Sequence, residues 1–399
     1  MIDTSQRRGE LESTIWDVAV IGAGPGGAVA AREAARCGLR TVLIEARAFP
    51  RSKVCGGCLN RRAIQVMDDI GLAGLVEQLG GEPVRGLTLK SGTHSACISL
   101  PPGIALTRYS FDAALLNAAV IDGVTVAYES SATVEPEIEN GLRLLTLRQH
   151  DRTFPIHSRV VICADGLLRS SLRLLPAMAP SPTSNSRIGV GIVLSHDEWL
   201  TTNSQLPPRG EITMVIGAGG YCGIAWAESS QLSLAAAVDP AAVKSAGSPA
   251  AVVRQILRES GLQLPASQTG WQGTPPLTTS PQCNATERLF VIGDAAGYVE
   301  PFTGEGMAAA LEQAVAVLPL VQDAVRLWRP HLSDQWQQLH RAQFQRRMRV
   351  CRFAAAVLHR PWLSVAAVRF LKVFPAAAGF FVNSINLPSA LPSHPIETP

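Results

Sequence analysis

The chain has 399 residues, of which 47% are hydrophobic and 17% charged. That composition excludes an intrinsically disordered protein and allows two or three domains of ordinary size. Eight dispersed cysteines, several within apolar runs such as VVICADG, exclude a secreted disulfide framework and predict a reducing compartment. The net charge of +3 hides an asymmetry: from Gln335 to Ile396 there are eight Lys and Arg and no acid, while the rest has 27 basic against 32 acidic residues.

The N-terminal stretch MIDTSQRRGELESTIW has acids and no apolar core, so no signal peptide is expected. No uncharged apolar run reaches the roughly 18 to 20 residues of a membrane span. The expected location is the cytoplasm, with peripheral contact at the cytoplasmic membrane face left open.

Trp16 to Arg47 reads WDVAVIGAGPGGAVAAREAARCGLRTVLIEAR. Asp17–Ile21 is a predicted buried parallel strand, Gly26–Cys37 a helix of small residues stopped by Gly38, and Thr41–Ile44 a second strand ending in Glu45. Gly22, Gly24 and Gly27 have the spacing G-x-G-x-x-G, with Gly26 beside them. The first allows a tight turn, the second lets backbone approach a pyrophosphate, and the third lets helix and strand touch. The helix N-terminus offers free N–H groups to phosphates. Glu45 is placed to accept hydrogen bonds from a ribose diol. Strand, glycines, helix, strand and terminal acid in this order predict a dinucleotide site.

KVCGGCLN, Lys53–Asn60, follows at once. Its two cysteines suggest zinc ligands or a dithiol. No second ligand pair accompanies them, so no metal is expected; a reversible Cys55–Cys58 disulfide stays open. Further on, Arg108 in TRYSFDAALLNAA stands at a helix start, with Ser110 as the predicted N-cap. His157–Arg173 holds a strand ending in Ala164, Asp165 and Gly166. MVIGAGGYCG, Met214–Gly223, mimics a second dinucleotide motif, but the residues after it alternate as a strand does, so Gly217–Gly223 is read as a hairpin turn. In Leu289–Ala314 a strand ends at Gly293 and Asp294, followed by Pro301 and a helix opening over Gly304, Gly306 and Met307.

With three motifs in this order, Asp17–Val317 resembles the FAD-dependent oxidoreductases of the para-hydroxybenzoate hydroxylase-like and geranylgeranyl reductase-like family. The resemblance implies an α/β fold: a Rossmann-like FAD-binding domain of the glutathione reductase type, an antiparallel β-sheet substrate domain and C-terminal helices. The expected FAD domain combines 14–80, 106–185 and 283–325. The substrate sheet combines 81–105 and 186–282, and a basic, apolar helical module covers 326–399. The resemblance places Asp294 on the ribityl chain, the Gly304–Met307 helix start at the flavin pyrimidine, and Arg47, Arg108, Asp165 and Gly166 among the cofactor contacts. It sets Cys55 and Gly56 against the flavin, as in the K-P-C-G-G-G of geranylgeranyl reductases; Val54 and Cys58 depart from that pattern. Cys55 and Pro301 are the candidate catalytic residues, Cys55 with inert packing as the alternative. NAD(P)H is implied as a transient co-substrate.

The expected substrate is apolar or lipid-like. Monooxygenase-like chemistry is narrowly preferred to hydride transfer to an isoprenoid double bond, because YCGIAWAE, Tyr221–Glu228, lacks the Y-x-W-x-F-P-type signature of the geranylgeranyl reductases. A halogenase or a non-enzymatic lipid carrier ranks lower. Phe344, Met348, Cys351, Ala355 and Leu358 share one predicted helical face, with Arg346, Arg347, Arg349 and Arg352 beside or opposite it, and Pro361 as the stop. Residues 335–385 are read as a helical cap with a solvated arginine face or a platform for an anionic membrane. No nucleic-acid partner is expected, and the oligomeric state is not legible.

Overall fold

The structure is a computed structural model that describes residues 4–265, 269–300, 302, 304–343, 345–374, 376–379 and 382. Pro301, Phe344 and Pro375 lie outside the described residues, as do the side chains of 4–8 and 345–347, which include Arg346 and Arg347.

In chain order, helix α1 (Thr4–Ser13) and strand β1 (Ile15–Ile21) lead to helix α2 (Pro25–Arg36) and strand β2 (Thr41–Ile44). Strand β3 (Cys58–Leu59) and helices α3 (Arg61–Asp69) and α4 (Leu75–Gln78) precede the hairpin β4 (Glu82–Ser91) and β5 (His94–Ala105). Helix α5 (Arg108–Ile121) is followed by β6 (Thr125–Ala127), β7 (Ser130–Glu139), β8 (Leu142–Gln149) and β9 (Arg152–Cys163). Next come β10 (Ile188–Ser195), α6 (His196–Leu200), β11 (Glu211–Gly217), β12 (Gly220–Ala227) and β13 (Gln231–Val238). Helices α7 (Pro240–Ala246) and α8 (Pro249–Glu259) and strand β14 (Gln272–Pro276) precede β15 (Ala285–Thr286) and β16 (Leu289–Val291). Helices α9 (Glu305–Ala316), α10 (Leu318–Arg326), α11 (His331–Gln343), α12 (Gln345–Leu358) and α13 (Pro361–Val373) follow.

Two sheets organise these elements. The first runs β15-β16-β9-β1-β2-β6, and β7 and β8 join it through β9. Its centre is parallel: β1 pairs with β2 (Ile21 opposite Ile44) and with β9 (Ile21 opposite Cys163). Val18, Val20, Leu43 and Ile162 are fully buried there, so these strands read as continuous apolar runs. The second sheet runs β14-β10-β13-β12-β11-β4-β5-β3. Every pairing in it is antiparallel except β4 with β11, so the expected antiparallel roof contains one parallel seam. Register between β4 and β11 follows from burying Leu89 and Met214 on one face.

Local readings were shifted at three points. Helix α5 starts at Arg108, and its N-cap is Thr107, whose hydroxyl accepts from the Ser110 N–H; Ser110 sits inside the first turn. The turn of the β11–β12 hairpin is confined to Ala218 and Gly219, because Gly220–Gly223 pair in register with β11 and β13. Pro361 opens α13, where its missing N–H costs nothing, after α12 has already ended at Leu358. On α12, Cys351, Ala355 and Leu358 are buried, with Met348 packed beside them. Residues 305–326 form a helical stretch long and apolar enough to cross a membrane by length and composition, and 56% of its most apolar window is buried inside this fold.

Candidate active site

The glycine turn sits where β1 meets α2. Gly22 has φ 98°, a left-handed value that favours glycine. A Cβ at Gly27 would lie 1.8 Å from the Gly22 carbonyl oxygen, so only glycine lets helix and strand approach this closely. A Cβ at Gly26 would meet the Ala310 carbonyl oxygen of α9 at 3.0 Å. Gly24 faces the open side, with only Arg108 within reach at 3.7 Å. At the end of β2, the Glu45 carboxylate accepts from the Ala23 and Arg47 N–H groups, each at 2.9 Å.

Arg108 reaches this turn from the first turn of α5. Its guanidinium donates to Asp112 at 2.6 and 2.7 Å, and Arg51 donates to the same carboxylate at 3.1 Å. Burial works against the Arg108 charge, but Asp112, by charge and hydrogen bonding, raises its pKa above the ordinary arginine value. Arg108 is therefore a fixed cation beside the glycine turn.

The later motifs converge on the same place. Gly293 donates its N–H to Gln313 Oε1 at 2.8 Å, which ties the end of β16 to α9. Asp294 Oδ2 stands 3.5 Å from Lys53 Nζ. Gly304, at φ 69°, caps α9 and has open space where a side chain would start. Glu305 and Glu312 hold α9 to α3 through Arg62, whose Nε donates to Glu312 at 2.9 Å, and Asn60 donates to Glu305 at 3.0 Å. The N-terminus of α9 is thus aimed by a buried ionic clamp.

KVCGGCLN forms the wall between the two sheets. The Gly57 N–H approaches the Cys55 sulfur at 3.4 Å, and the Leu106 N–H donates to the Gly57 carbonyl at 2.9 Å. Gly57 has φ 71°, and a Cβ there would come within 2.2 Å of the Leu106 carbonyl oxygen. Gly56 is different: its missing side chain faces open space. Cys58 begins β3, and its thiol donates to the Gly56 carbonyl at 3.3 Å. Burial, reinforced by Cys55, pushes its pKa up to about 12. Cys55 and Cys58 are free thiols.

One cavity of about 450 Å³ connects these parts. Gly24, Gly26, Gly27, Cys55, Gly56, Arg108, Gly166, Gly293, Asp294, Gly304, Gly306 and Met307 line it. Gly22, Glu45, Arg47 and Asp165 do not. Asp165 accepts from the Ser171 N–H at 2.8 Å and from the Cys163 thiol at 3.0 Å, so its carboxylate holds the turn that presents Gly166.

A family model described as "FAD binding domain" matches residues 16–326. The chain belongs to that family. It is similar to the menaquinone reductase of Mycobacterium tuberculosis, 27% identical over 341 residues that cover 80% of each chain. It is also similar to the digeranylgeranylglycerophospholipid reductase of Methanococcus vannielii, 24% identical over 310 residues and 74% of each chain. Its fold matches a solved geranylgeranyl bacteriochlorophyll reductase-like protein from Thermoplasma acidophilum with TM-score 0.70, 20% identity and 90% of each chain covered.

This FAD-dependent oxidoreductase has a cradle that fits its cofactor: the backbone at Gly24, Gly56 and Gly304 leaves open the space that side chains would fill. Beyond Gly56 the cavity becomes apolar, with Leu89, Ile98, Leu100, Met214 and Ile216 from the second sheet. Phe353, Leu358, Val368 and Phe370 line it from α12 and α13. Tyr298, in the same lining, is half-buried, and desolvation of its phenol, followed by the Asp294 charge, pushes the pKa well above the ordinary tyrosine value.

Sequence reasoning missed several groups here. Lys53 stood inside a motif read for its cysteines. Arg51 carries no local signal, because its partner Asp112 stands 61 residues away in sequence, whereas the i,i+4 spacing of Arg108 and Asp112 on one helix was a signal that went unused. Glu228, the last residue of YCGIAWAE, accepts from the Thr107 N–H at 2.8 Å and fixes the start of α5 from the other sheet.

Proposed function

We propose that this flavoprotein reduces a carbon–carbon double bond in an isoprenoid or similar lipid. The observation that carries the reading is the shape of the cavity: it runs from the glycine wall at Gly56 to Phe353 and Phe370, two residues that line it and are also 69% and 53% exposed. An apolar passage open at one end suits a long hydrocarbon whose remainder stays outside. The reductases to which the chain is similar support it.

In this reading the Gly24–Gly27 turn and the α2 N-terminus take the pyrophosphate, and Glu45, with Arg47 beside it, takes the ribose. Asp294 takes the ribityl chain, Arg108 supplies positive charge, and the α9 N-terminus at Gly304–Met307 faces the pyrimidine edge. Bound FAD supplies two-electron hydride chemistry, with NAD(P)H as the proposed donor. Gly56 lets the ring lie against backbone, Cys55 stands at its side, and the apolar lining excludes water from the acceptor.

The mouth also suggests where the lipid comes from. Phe353, Trp362, Phe370, Val373 and Phe374 are more than half exposed on α12, α13 and just beyond, among the exposed Arg349, Arg352, Arg360, Arg369 and Lys372. Aromatic side chains with a cationic surround suit an anionic membrane surface.

One observation favours hydroxylation of an apolar compound instead. Trp226, the tryptophan of YCGIAWAE, donates to the Pro207 carbonyl at 2.8 Å, stacks under Arg209 and does not line the cavity, so the reductase-type signature has no counterpart there. A single experiment separates the readings. The FAD-loaded protein, reduced with dithionite without oxygen, is mixed with menaquinone or a geranylgeranyl lipid. Flavin reoxidation with a product heavier by two hydrogens, a gain that persists after air has returned any quinol to quinone, supports reduction. A product that gains an oxygen atom, and only when oxygen is admitted, overturns it in favour of the hydroxylase.

A further inference from the structure

Behind the cavity wall lies a polar cluster that the flavin cradle does not use. Arg187, 2% exposed, donates through Nε to Asp239 at 2.9 Å and through Nη2 to the Leu358 carbonyl at 3.0 Å. Its remaining nitrogen, Nη1, faces Glu300 Oε1 at 3.6 Å. His359 joins from the elbow between α12 and α13, with Nε2 3.4 Å from Glu300 and Nδ1 3.6 Å from Asp239. A third of the His359 side chain is exposed, whereas Glu300 is 2% exposed.

Tyr221 separates this cluster from the cavity. Its ring lines the cavity, packs edge-on against Phe302, and has the Arg187 guanidinium 5.5 Å from its centroid. Its phenol keeps its proton, because burial and then the Glu300 charge push the pKa well above the ordinary value; Arg187 opposes and Cys351 adds to that. Tyr298, the second phenol of the lining, is half-buried and lies on the side of Asp294 and Cys55.

Four buried atoms here have no hydrogen-bond partner among the described residues: Tyr221 Oη, Arg187 Nη1 and both Glu300 carboxylate oxygens. Buried polar atoms left orphaned are rare, and internal water is their usual partner. Here they cluster around the Arg187–Glu300 ion pair, where bridging water would satisfy them.

We propose that His359, Glu300 and Tyr221 form a water-bridged proton conduit from the surface to the cavity, with Tyr221 as the proton donor to the lipid. The inference rests on the double-bond reduction proposed above. One alkene carbon receives a hydride, the two electrons coming from the reduced flavin, which is oxidised. The neighbouring carbon receives the Tyr221 proton. The π bond and the O–H bond break and two C–H bonds form. His359 takes a proton from solvent and passes it to the Glu300 carboxylate, which hands it through water to the Tyr221 phenolate, held meanwhile by the attraction of Arg187.

The test uses the FAD-loaded protein without oxygen, in H2O and D2O, with menaquinone or a geranylgeranyl lipid. Tyr221→Phe should bind FAD and be reduced by dithionite as the wild type is. Its single-turnover reoxidation by the lipid should be at least about 100-fold slower, the ordinary worth of a general acid. The solvent deuterium effect of the wild type should change in His359→Gln, which also carries the test if Tyr221→Phe fails to fold. A crystal structure of the wild type should show ordered water joining Tyr221 Oη to Glu300. Wild-type rates and isotope effects in both variants overturn the conduit and leave the reductase reading standing. If the wild type reduces no lipid, that reading falls, and the water is decisive: a dry cluster then overturns the conduit too.

Discussion

Arg108 and Asp112, one turn apart on α5, form a two-pronged ion pair in which Asp112 is fully buried, and Arg51 closes on the same carboxylate from the loop after β2. The pair fixes a guanidinium 3.7 Å from where a Gly24 side chain would begin. A short stretch of α5 thereby becomes part of a nucleotide turn more than eighty residues upstream in sequence. Asp112→Ala leaves two cations around one buried site. Removing one partner of a buried pair typically costs about 3–5 kcal/mol. Urea unfolding of the variant should show that loss, and a change under about 1 kcal/mol would contradict the role given to Asp112.

The neighbouring glycines of the wall should respond differently to alanine. Gly57→Ala forces a side chain onto a backbone at φ 71° and against the Leu106 carbonyl, so thermal unfolding should reveal a loss of about 1–3 kcal/mol or more. Gly56→Ala meets open space and should unfold as the wild type does, yet purify with less flavin, measured by absorbance near the flavin bands. Equal flavin content in Gly56→Ala and wild type would remove Gly56 from the cofactor face.

His340 is buried between α11 and the β15 strand region, where its Nδ1 lies 3.3 Å from Asn284 Nδ2. Burial, followed by Arg169 and Arg341, lowers its pKa from 6.5 to about 4. In the unfolded chain it binds a proton near pH 6.5. Stability is therefore fully present above that pH and declines as pH falls towards 4, by about 3 kcal/mol from this residue. His340→Gln should flatten the stability profile between pH 6.5 and 4 in urea titrations. An unchanged slope would mean that the native state accepts the proton there.

Cys58 of KVCGGCLN can be separated from the exposed thiols by alkylation. Cys58, with its pKa pushed up to about 12, stays a neutral thiol at pH 8 and should resist iodoacetamide in the folded protein. Exposed Cys97 should be modified under the same conditions. Mass spectrometry of tryptic peptides reads both, and rapid native-state labelling of Cys58 would contradict its raised pKa.

The proposed membrane face gives a further prediction. Trp362, Phe370 and Phe374 changed together to Ser remove three exposed aromatics without touching the glycine turn. Burying a large apolar side chain contributes roughly 1.5–3 kcal/mol. Cosedimentation with anionic vesicles should weaken at least about tenfold, and added salt should weaken the wild type as well. Equal binding of both proteins would remove these aromatics from the interface.

Much of the nucleotide cradle was legible because its physics is local. The turn at Gly22–Gly27, the helix behind it, the strand Thr41–Ile44 and the start of α9 at Gly304 each follow from residues within a few positions. Ser110 misled because two hydroxyls three residues apart both suit a cap; Glu228, from the other sheet, takes the Ser110 side chain and leaves the cap to Thr107. Asp165, which the resemblance puts among the cofactor contacts, accepts from the Ser171 N–H, a partner that only the fold reveals.

The sequence by itself determined the strand-turn-helix units, the glycine positions and the basic C-terminal part, because backbone conformation and hydrophobic period depend on neighbours in the chain. Only the tertiary structure decided which charges meet. Arg51 with Asp112, Lys53 with Asp294, and His359 with Glu300 join residues from separate elements. Such contacts leave no periodic trace, since an ion pair needs proximity in space and none in sequence. The same holds for KVCGGCLN: its glycines announced a close approach, and packing between two sheets decided that Gly57 meets a carbonyl while Gly56 faces the cavity.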